Sequence, residues 1–303
     1  LEGRSAGIGV EVETDPVSGY LLITEVYPNS PAQTEGLQKG DRIVAIGDDT
    51  VTAENSAEMA GKLSGIKLTS VSLTYRRDDV DKSVNVVLGY TNQTVSYELI
   101  GTVGYIKISA FYKNTLNQLE KAITQLKKEG AKSLIFDVRS TYDGTVEYTC
   151  RVIDLLVPTA TEGNKAIATL VDKTGKTVKT YSSDSKDIIM PMAVLINSDT
   201  AGCGELFACD LKDFGKAFLI GEKTAGRADV QETFELSDGG AIVLTTSKML
   251  PYISDSFDGN GLTPDTEIIL ADSLRENLST LEKDRDTQLQ AAVSMLAGNS
   301  AEE

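Results

Sequence analysis

Apolar and polar residues alternate in three short stretches of the first 90 residues, as they do in β-strands with one buried face. The predicted strands are YLLITEVY (20–27), DRIVAIG (41–47) and SVSLTYRR (70–77). Turn-forming residues at Asn29–Pro31, Gly36 and Gly40 separate them, and apolar positions at helical spacing predict one helix over 53–63. The pattern indicates a small β-rich module.

From about residue 100 the pattern changes to strands that alternate with amphipathic helices. The predicted strands span 102–109, 132–138, 192–197 and 216–223, and the predicted helices span 115–129, 145–156, 204–213 and 272–297. This alternation favours a layered α/β domain whose functional loops follow the carboxyl ends of its strands. The last helix is expected to pack on the outside of the domain, because its apolar residues are few: Leu274, Leu278, Leu281, Leu289 and Met295.

Acidic residues outnumber basic ones by 45 to 29, which gives a formal charge of −16. A nucleic-acid partner is therefore not expected, because binding phosphates requires clustered Lys and Arg. No run of 18 or more apolar residues occurs, so we expect no transmembrane segment in this chain. The opening residues LEGRSAGIGV lack the features of a targeting segment, so we expect that such a segment either lies outside this chain or never existed.

The chain contains no histidine, which excludes every catalytic arrangement that uses a histidine base. A hydrolase that uses a nucleophilic side chain would then need Lys, a carboxylate or a terminal amine as its base. The three cysteines, Cys150, Cys203 and Cys209, have the spacing of neither a disulfide framework nor a zinc site. Cys209 is interpreted as a small buried side chain, and no metal or cofactor is expected.

Two groups of motifs resemble a known family. GIGVEV (7–12), followed by SPA, GL and GD within residues 30–41, resembles a PDZ domain of the C-terminal processing (tail-specific) proteases, peptidase family S41. The peptidase domain of that family is resembled by GYIKISAF (104–111), LIFDVR (134–139), VLIN (194–197), GEKTAGRADVQ (221–231) and GNGLTPD (259–265). The resemblance implies an α/β (α+β) fold: a PDZ domain over 1–90 and a ClpP/crotonase-like peptidase domain over 91–303.

The same resemblance identifies the positions of the catalytic residues. The family has a serine nucleophile after the VLIN strand and a lysine base followed by a glutamine, and these align with Gly202, Arg227 and Gln231. The separation of 25 residues between the first two positions matches the family. Glycine has no nucleophilic atom, and arginine does not release its proton, so a Ser-Lys mechanism is impossible at these positions.

A third motif also departs from the family pattern. The DLRxNPGG turn on the oxyanion side of the family site reads DVRSTYDG here, with Asp137, Arg139 and Gly144 kept but Tyr142 and Asp143 replacing proline and glycine. A carboxylate at Asp143 would oppose negative charge on a reacting carbonyl. Changes at three motifs favour a pseudoprotease over an engineered single knockout.

Two alternatives remain open at the sequence level. Cys203 starts a helix, where the helix dipole lowers a thiol pKa, and it could serve as a replacement nucleophile, as could Thr200. Ser198 and Thr200 are otherwise turn or cap residues, and Lys223 is a solvent-exposed strand-end charge. Arg227 either forms a structural ion pair with Asp143 or Glu205, which is favoured, or holds a peptide carboxylate.

In the PDZ-like module, the resemblance implies that the loop Gly7, Ile8, Gly9 and Val10 presents backbone N–H groups to a terminal carboxylate. Ile8, Val10, Met59 and Leu63 would line the side-chain pocket, and the alternative is that they are core residues. The expected partners are protein or peptide C-terminal tails, with a homo-oligomer or an active paralogue as further possibilities. Family resemblance alone suggests a bacterial, extracytoplasmic protein, exported and anchored through a region outside this chain.

Overall fold

The computed structural model describes residues 6–27, 30–65, 69–89, 93–158, 166–183, 188–235, 241–275, 278 and 281–298. The chain divides into two compact units, residues 1–92 and 93–303. The mixed α/β class predicted from the sequence pattern is confirmed in the second unit, and the first unit is rich in β-strands.

The first unit is a twisted antiparallel sheet with two short helices. Its elements are β1 (Ala6–Gly7), β2 (Val10–Thr14), β3 (Leu21–Val26), α1 (Pro31–Thr34), β4 (Arg42–Ile46), β5 (Asp49–Thr50), α2 (Ser56–Lys62), β6 (Ser64–Gly65), β7 (Ser70–Arg77) and β8 (Val80–Val87). The main sheet has the order β2-β3-β4-β7-β8, so β2 and β8 are its edges. Alternate residues such as Leu21 and Ile23 of β3 are buried, as the two-residue period of a strand requires.

The second unit is built on a six-stranded sheet with the order β20-β17-β16-β12-β10-β9. Its strands are β9 (Val95–Ile100), β10 (Val103–Ile108), β12 (Ser133–Asp137), β16 (Met192–Ile196), β17 (Ala217–Gly221) and β20 (Thr266–Glu267). All neighbouring strands are parallel except β9 and β10. Every residue of β12 and β16 is buried, which is the pattern of parallel strands covered on both faces.

Helices cover the two faces of this sheet unequally. The helices α3 (Thr115–Lys128), α4 (Val146–Leu156) and α5 (Cys203–Asp213) form the larger core with one face, through residues such as Leu119, Ile153 and Phe207. On the opposite face, α7 (Thr287–Gly298) packs Leu289, Ala292 and Leu296 against Ile135 and Leu195. A short helix, α6 (Asp272–Arg275), precedes α7.

Smaller strands complete the second unit. The short strands β11 (Ala110–Phe111) and β13 (Asp143–Gly144) pair in parallel. A four-stranded sheet has the order β15-β14-β19-β18 and consists of β14 (Ala166–Val171), β15 (Thr177–Ser182), β18 (Asp229–Glu235) and β19 (Ala241–Leu250).

The sequence prediction of one outer helix over 272–297 is wrong. The helix is divided into α6 and α7, because the Asp286 carboxylate accepts the Leu289 N–H at 3.0 Å and so caps a new helix. Leu289, which the prediction included, and Leu296 are fully buried on the sheet. Met295, the other predicted apolar residue in α7, is exposed. The other predicted helices and strands differ from the observed ones by a few residues at their ends.

Candidate functional site

The candidate site lies where the chain leaves β12, β16 and β17 at the carboxyl ends of these parallel strands. Gly202 is the N-cap of α5 and has φ 54° and ψ −112°, a conformation that side chains rarely adopt. A Cβ atom at residue 202 would lie 3.5 Å from the Tyr142 carbonyl oxygen and 3.9 Å from the Arg227 carbonyl oxygen. Both distances are ordinary van der Waals contacts, so the neighbouring backbone admits a Cβ atom at residue 202.

The Glu205 carboxylate connects the two loops that meet at this point. It is fully buried and accepts hydrogen bonds from the backbone N–H groups of Gly202 (3.0 Å), Gly226 (2.7 Å) and Arg227 (2.8 Å), and from the Thr224 hydroxyl. Four donors satisfy this buried anion, as its burial requires. From the sequence, Glu205 was expected only as an ion-pair partner for the Arg227 side chain. A Glu three residues after an N-cap is, however, the signal of a capping box.

The Asp143 carboxylate accepts hydrogen bonds within the turn that it shares with Gly144. One carboxylate oxygen accepts the Gly144 N–H at 2.9 Å, and the other accepts the Tyr112 hydroxyl. Gly144 has φ 139°, and a Cβ atom there would lie 2.7 Å from the Phe111 carbonyl oxygen, so only glycine fits. Burial is the larger cause, and the hydrogen bond to Asp143 the next, of a raised pKa of the Tyr112 hydroxyl. Tyr112 therefore stays a neutral donor. No motif or spacing in the sequence indicated a role for Tyr112.

Cys203 is not a reactive thiol in this structure. The side chain is 5% exposed, and burial raises the pKa of the thiol to about 11. Burial is the main cause of this raised pKa, the hydrogen bond with Thr149 opposes it, and the nearby Asp143 charge acts in the same direction as burial. Cys150 and Cys209 are buried too, and burial raises their thiol pKa values.

Thr200 has a structural role. Its side chain is fully buried, and its hydroxyl lies 3.0 Å from the Val138 carbonyl oxygen and 3.1 Å from the Asn197 side-chain oxygen. The Asn197 N–H donates to the same hydroxyl at 3.0 Å. The hydroxyl thus joins the loops after β12 and β16 and has no access to a substrate, whereas Ser198 is exposed.

The favoured structural ion pair of Arg227 is absent. The Arg227 side chain is exposed and makes no salt bridge with any residue that the structure describes, because Asp143 and Glu205 bind other donors. Arg227 contributes its backbone N–H to Glu205 instead. Lys223 is exposed, as expected, and Gln231 is an exposed residue of β18.

The retained residues Asp137 and Arg139 lie behind the candidate site in a buried ionic network. Arg139 donates to Asp137 at 2.6 Å and to Asp286 at 2.7 Å, and it also binds the Gln288 side chain at 2.9 Å. Burial acts to raise the pKa of Asp137, but the charge and hydrogen bonds of Arg139 hold the pKa below its usual value. This network attaches the start of α7 to the end of β12.

In the first unit, the residues assigned to a peptide pocket belong to the core. Ile8, Met59 and Leu63 are buried in one apolar cluster, against which Val10 packs. The Ile8 N–H donates to the Leu63 carbonyl at 3.2 Å, while the carbonyls of Gly7 and Gly9 accept from Gly89 and Tyr27. In this conformation the Ile8 N–H is therefore already bound within the unit.

No helix in the described ranges is long and apolar enough to cross a bilayer. The described residues also contain no group of three or more His, Cys, Asp or Glu side chains placed to hold a metal ion.

Comparisons with known proteins cover both units. The sequence profile of peptidase family S41 matches residues 102–268, and that of the PDZ domain matches residues 6–88. A carboxyl-terminal-processing protease of Synechocystis sp. is 30% identical over 310 residues, which cover 99% of this chain and 70% of the relative. A CtpA-like serine protease of Staphylococcus epidermidis is 28% identical over 272 residues, which cover 88% of this chain and 54% of the relative.

Two solved structures share the fold. The photosystem II D1 C-terminal processing protease has a TM-score of 0.51 and 23% sequence identity, with 89% of this chain and 74% of that chain covered. An S41 protease from Bacteroides fragilis has a TM-score of 0.58 and 20% identity, with 97% of this chain and 83% of that chain covered.

Proposed function

This chain belongs to peptidase family S41 and carries a PDZ domain ahead of the peptidase domain, and we propose that it binds polypeptide C-terminal tails without cutting them. In this proposal Gly202 and Arg227 occupy the positions of the nucleophile and the base. The observation that carries the proposal is that residue 202, whose Cβ position would lie beside the carbonyl oxygens of Tyr142 and Arg227, is a glycine, because an acyl-enzyme needs a side-chain atom there.

The substitution at the base position supports the same conclusion. A guanidinium remains protonated at every physiological pH, so Arg227 cannot accept a proton from a nucleophile. A lysine serves as a base only where its surroundings bring its pKa towards neutrality, and the exposed side chain of residue 227 has no such surroundings.

The Asp143 carboxylate adds a third obstacle to peptide cleavage. It occupies the Gly144 N–H, and a substrate oxyanion that used this donor would have to displace a carboxylate and then lie beside its negative charge. Replacement of residues 202 and 227 alone would leave this obstacle in place.

A peptidase with another nucleophile is the alternative function, and the geometry disfavours it. Cys203 is buried with a thiol pKa of about 11, so almost none of it is thiolate at neutral pH. The Thr200 hydroxyl is fully buried and held by three polar neighbours.

Tail binding is assigned in this proposal to the PDZ domain. Its strand β2 is an edge of the sheet with β3 as its neighbour, so a peptide strand can add along its outer side. A terminal carboxylate would bind to the loop 7–10 after the Ile8 N–H has left the Leu63 carbonyl. The proposal therefore includes a local opening of this loop, and extracytoplasmic localisation is proposed with it.

The first test is incubation of the purified chain with an unstructured polypeptide that has an apolar C-terminus. We expect no fragments by mass spectrometry. Cleavage that is abolished by Cys203→Ala, but not by Cys209→Ala, would replace this proposal with a rewired peptidase.

The second test restores the residues of the family motifs at positions 202, 227 and 143 in steps. We expect Gly202→Ser with Arg227→Lys to stay inactive, and the addition of Asp143→Gly to be the step that permits any measurable cleavage. Full activity in the double variant would show that the Asp143 turn does not obstruct the reaction.

Tail binding is tested by titrating a fluorescent apolar peptide as its free acid and as its C-terminal amide. We expect the free acid to bind more tightly, in the unaltered chain and in Arg227→Gln. A preference for the acid that disappears in Arg227→Gln would assign the carboxylate to the peptidase domain instead, and equal binding of acid and amide would contradict tail recognition.

A further inference from the structure

The strands β18 and β19 form a ribbon that extends beyond the four-stranded sheet. They pair along their whole length, from Asp229 with Lys248 to Glu235 with Ala241, whereas β14 pairs only with residues 248–250 of β19. Residues 231–235 and 241–245, which we call the arm, are therefore two-stranded within the described part of the chain. A two-stranded ribbon alone is marginally stable in water.

The arm exposes apolar side chains at consecutive positions. Phe234, Ile242, Val243 and Leu244 are 42%, 42%, 57% and 46% exposed. Phe234 lies directly opposite Ile242, so these two share a face, and Leu244 follows on that face two residues along the strand. Clustered exposed apolar residues of this kind mark interaction surfaces.

The two edges of the arm differ in charge. β18 carries exposed carboxylates at Asp229 and Glu232, which protect an edge strand from pairing. The sequence of β19 from residue 241 to residue 247 is AIVLTTS, with no charged residue and no proline. In the described part of the chain, the outer edge of Ile242–Thr245 has no strand beside it. Among the described residues, this edge is therefore open, and its sequence contains no protecting charge or proline.

The charge of the molecule restricts where a second copy can bind. With a net charge of −16, a second copy is repelled from most surfaces of this chain, and contact is favourable only where neither copy presents carboxylates. The edge of β19 meets this condition, and the same segment of a second copy is already extended, exposed and uncharged. We propose that two copies of this chain associate by antiparallel pairing of their β19 edges.

A two-fold axis close to Val243 gives the best match of side chains. Ile242 of one copy then lies opposite Leu244 of the other, and the face that carries Phe234 continues across the axis, with Glu232 opposite Leu244 on the outer strand of that face. The result is a four-stranded sheet, β18-β19-β19-β18, with the carboxylates of β18 on its two outer edges. The outward backbone N–H and C=O groups of β19 become hydrogen-bonded in both copies, and the acidic residues remain in water.

Association through a single strand edge is expected to be weak. Such an interface is smaller than the roughly 1,200 Å² of a stable complex, so we expect dimers at about tens of micromolar chain. Added salt should strengthen the dimer, because it screens the repulsion between two acidic bodies.

The test is sedimentation of the full chain over a concentration series, at low and at high salt. We expect the mass to rise from 32.5 kDa towards twice that value. Val243→Lys should keep the chain monomeric, since it places a charge on the open edge. The matched control is Val178→Lys, at a 62% exposed valine of β15, an edge strand of the same sheet, which should leave the dimer intact.

The register is tested by Val243→Cys, which should form an intermolecular disulfide on mild oxidation, whereas Val178→Cys should not. A chain that stays monomeric at all concentrations and salts overturns the proposal, as does a dimer that Val243→Lys leaves unchanged. A monomeric chain that binds an extended apolar peptide, with binding lost in Val243→Lys, would assign the edge to a different protein segment.

Discussion

Helix α5 carries two fully buried carboxylates whose surroundings differ. Glu205, in the first turn, accepts three backbone N–H groups and a hydroxyl. Asp210, in the third turn, accepts the Tyr252 N–H at 3.0 Å with one oxygen, and its other oxygen has no hydrogen-bond partner in the described part of the chain. Both side chains are fully buried, but Glu205 has more hydrogen-bond donors than Asp210. The first side chain connects the loops of the candidate site, whereas the second is a buried group with one oxygen that lacks a described donor.

The pKa of Asp210 shows the effect of that difference. Burial raises this pKa well above its usual value, the Tyr252 hydrogen bond only partly opposes the rise, and the neighbouring charge of Asp213 adds to it. Asp210 is therefore protonated in the folded protein at a pH where it is ionised in the unfolded chain.

The largest effect is expected from Glu205→Ala. This change leaves three backbone N–H groups and the Thr224 hydroxyl without their acceptor in a buried location, and we expect the free energy of unfolding to fall by about 3–5 kcal/mol. Urea denaturation measures the loss. Glu205→Gln, which keeps one acceptor oxygen, should lose less, and equal losses would show that volume matters more than the hydrogen bonds.

The next effect is the pH dependence of Asp210→Asn. Because the pKa of Asp210 is raised on folding, its contribution to stability is fully present below the unfolded value near 3.8 and is lost as the pH rises towards the folded pKa. The unaltered chain should lose up to about 1.4 kcal/mol per pH unit in this range relative to Asp210→Asn. Urea denaturation from acidic to neutral pH measures the difference, and parallel curves would contradict a raised pKa.

A smaller effect is expected from Gly202→Ala at the N-terminus of the same helix. The space beside residue 202 accepts a Cβ atom, so the cost comes from the backbone conformation and should be about 1–2 kcal/mol. Thermal unfolding measures this cost. Gly144→Ala is the control, because its Cβ atom would also collide with the Phe111 backbone; an equal cost at both glycines would show that the free space has no influence.

The smallest effect is expected from Cys203→Ala. Removal of one buried sulfur should cost about 1 kcal/mol of unfolding free energy. In the unaltered chain, alkylation of Cys203 by iodoacetamide at neutral pH should be far slower than that of a free cysteine, since the thiol pKa is about 11. Rapid labelling of Cys203, followed by mass spectrometry of its peptide, would contradict the buried position of this thiol.

The sequence was sufficient for features that depend on local pattern. The period of apolar residues predicted the strand 70–77 and the helix 145–156. The family resemblance implied that residues 202 and 227 lie close together, and a Cβ atom at residue 202 would lie 3.9 Å from the Arg227 carbonyl oxygen. The preference of Asp143 for the Gly144 N–H and the isolation of the Arg227 side chain were not predictable. Both depend on which donors the folded loops bring within reach, and a composition or spacing contains no such information.

The division of the last helix has the same explanation. Asp286 caps α7 and also binds Arg139, a residue 147 positions earlier in the chain. A contact of this kind does not appear in the local period of apolar residues, which is why the stretch 272–297 was interpreted as one outer helix.

The position of α7 has a consequence for biosynthesis. One face of the central sheet is covered by residues 287–298, and the Arg139 charge has one of its two carboxylate partners at Asp286. While the ribosome is still making this part of the chain, the sheet has an uncovered apolar face and Arg139 has only one of its two counterions. We therefore expect arrested nascent chains that lack residues 286–298 to be digested by added protease and to need chaperones, and resistance to appear only when α7 has emerged.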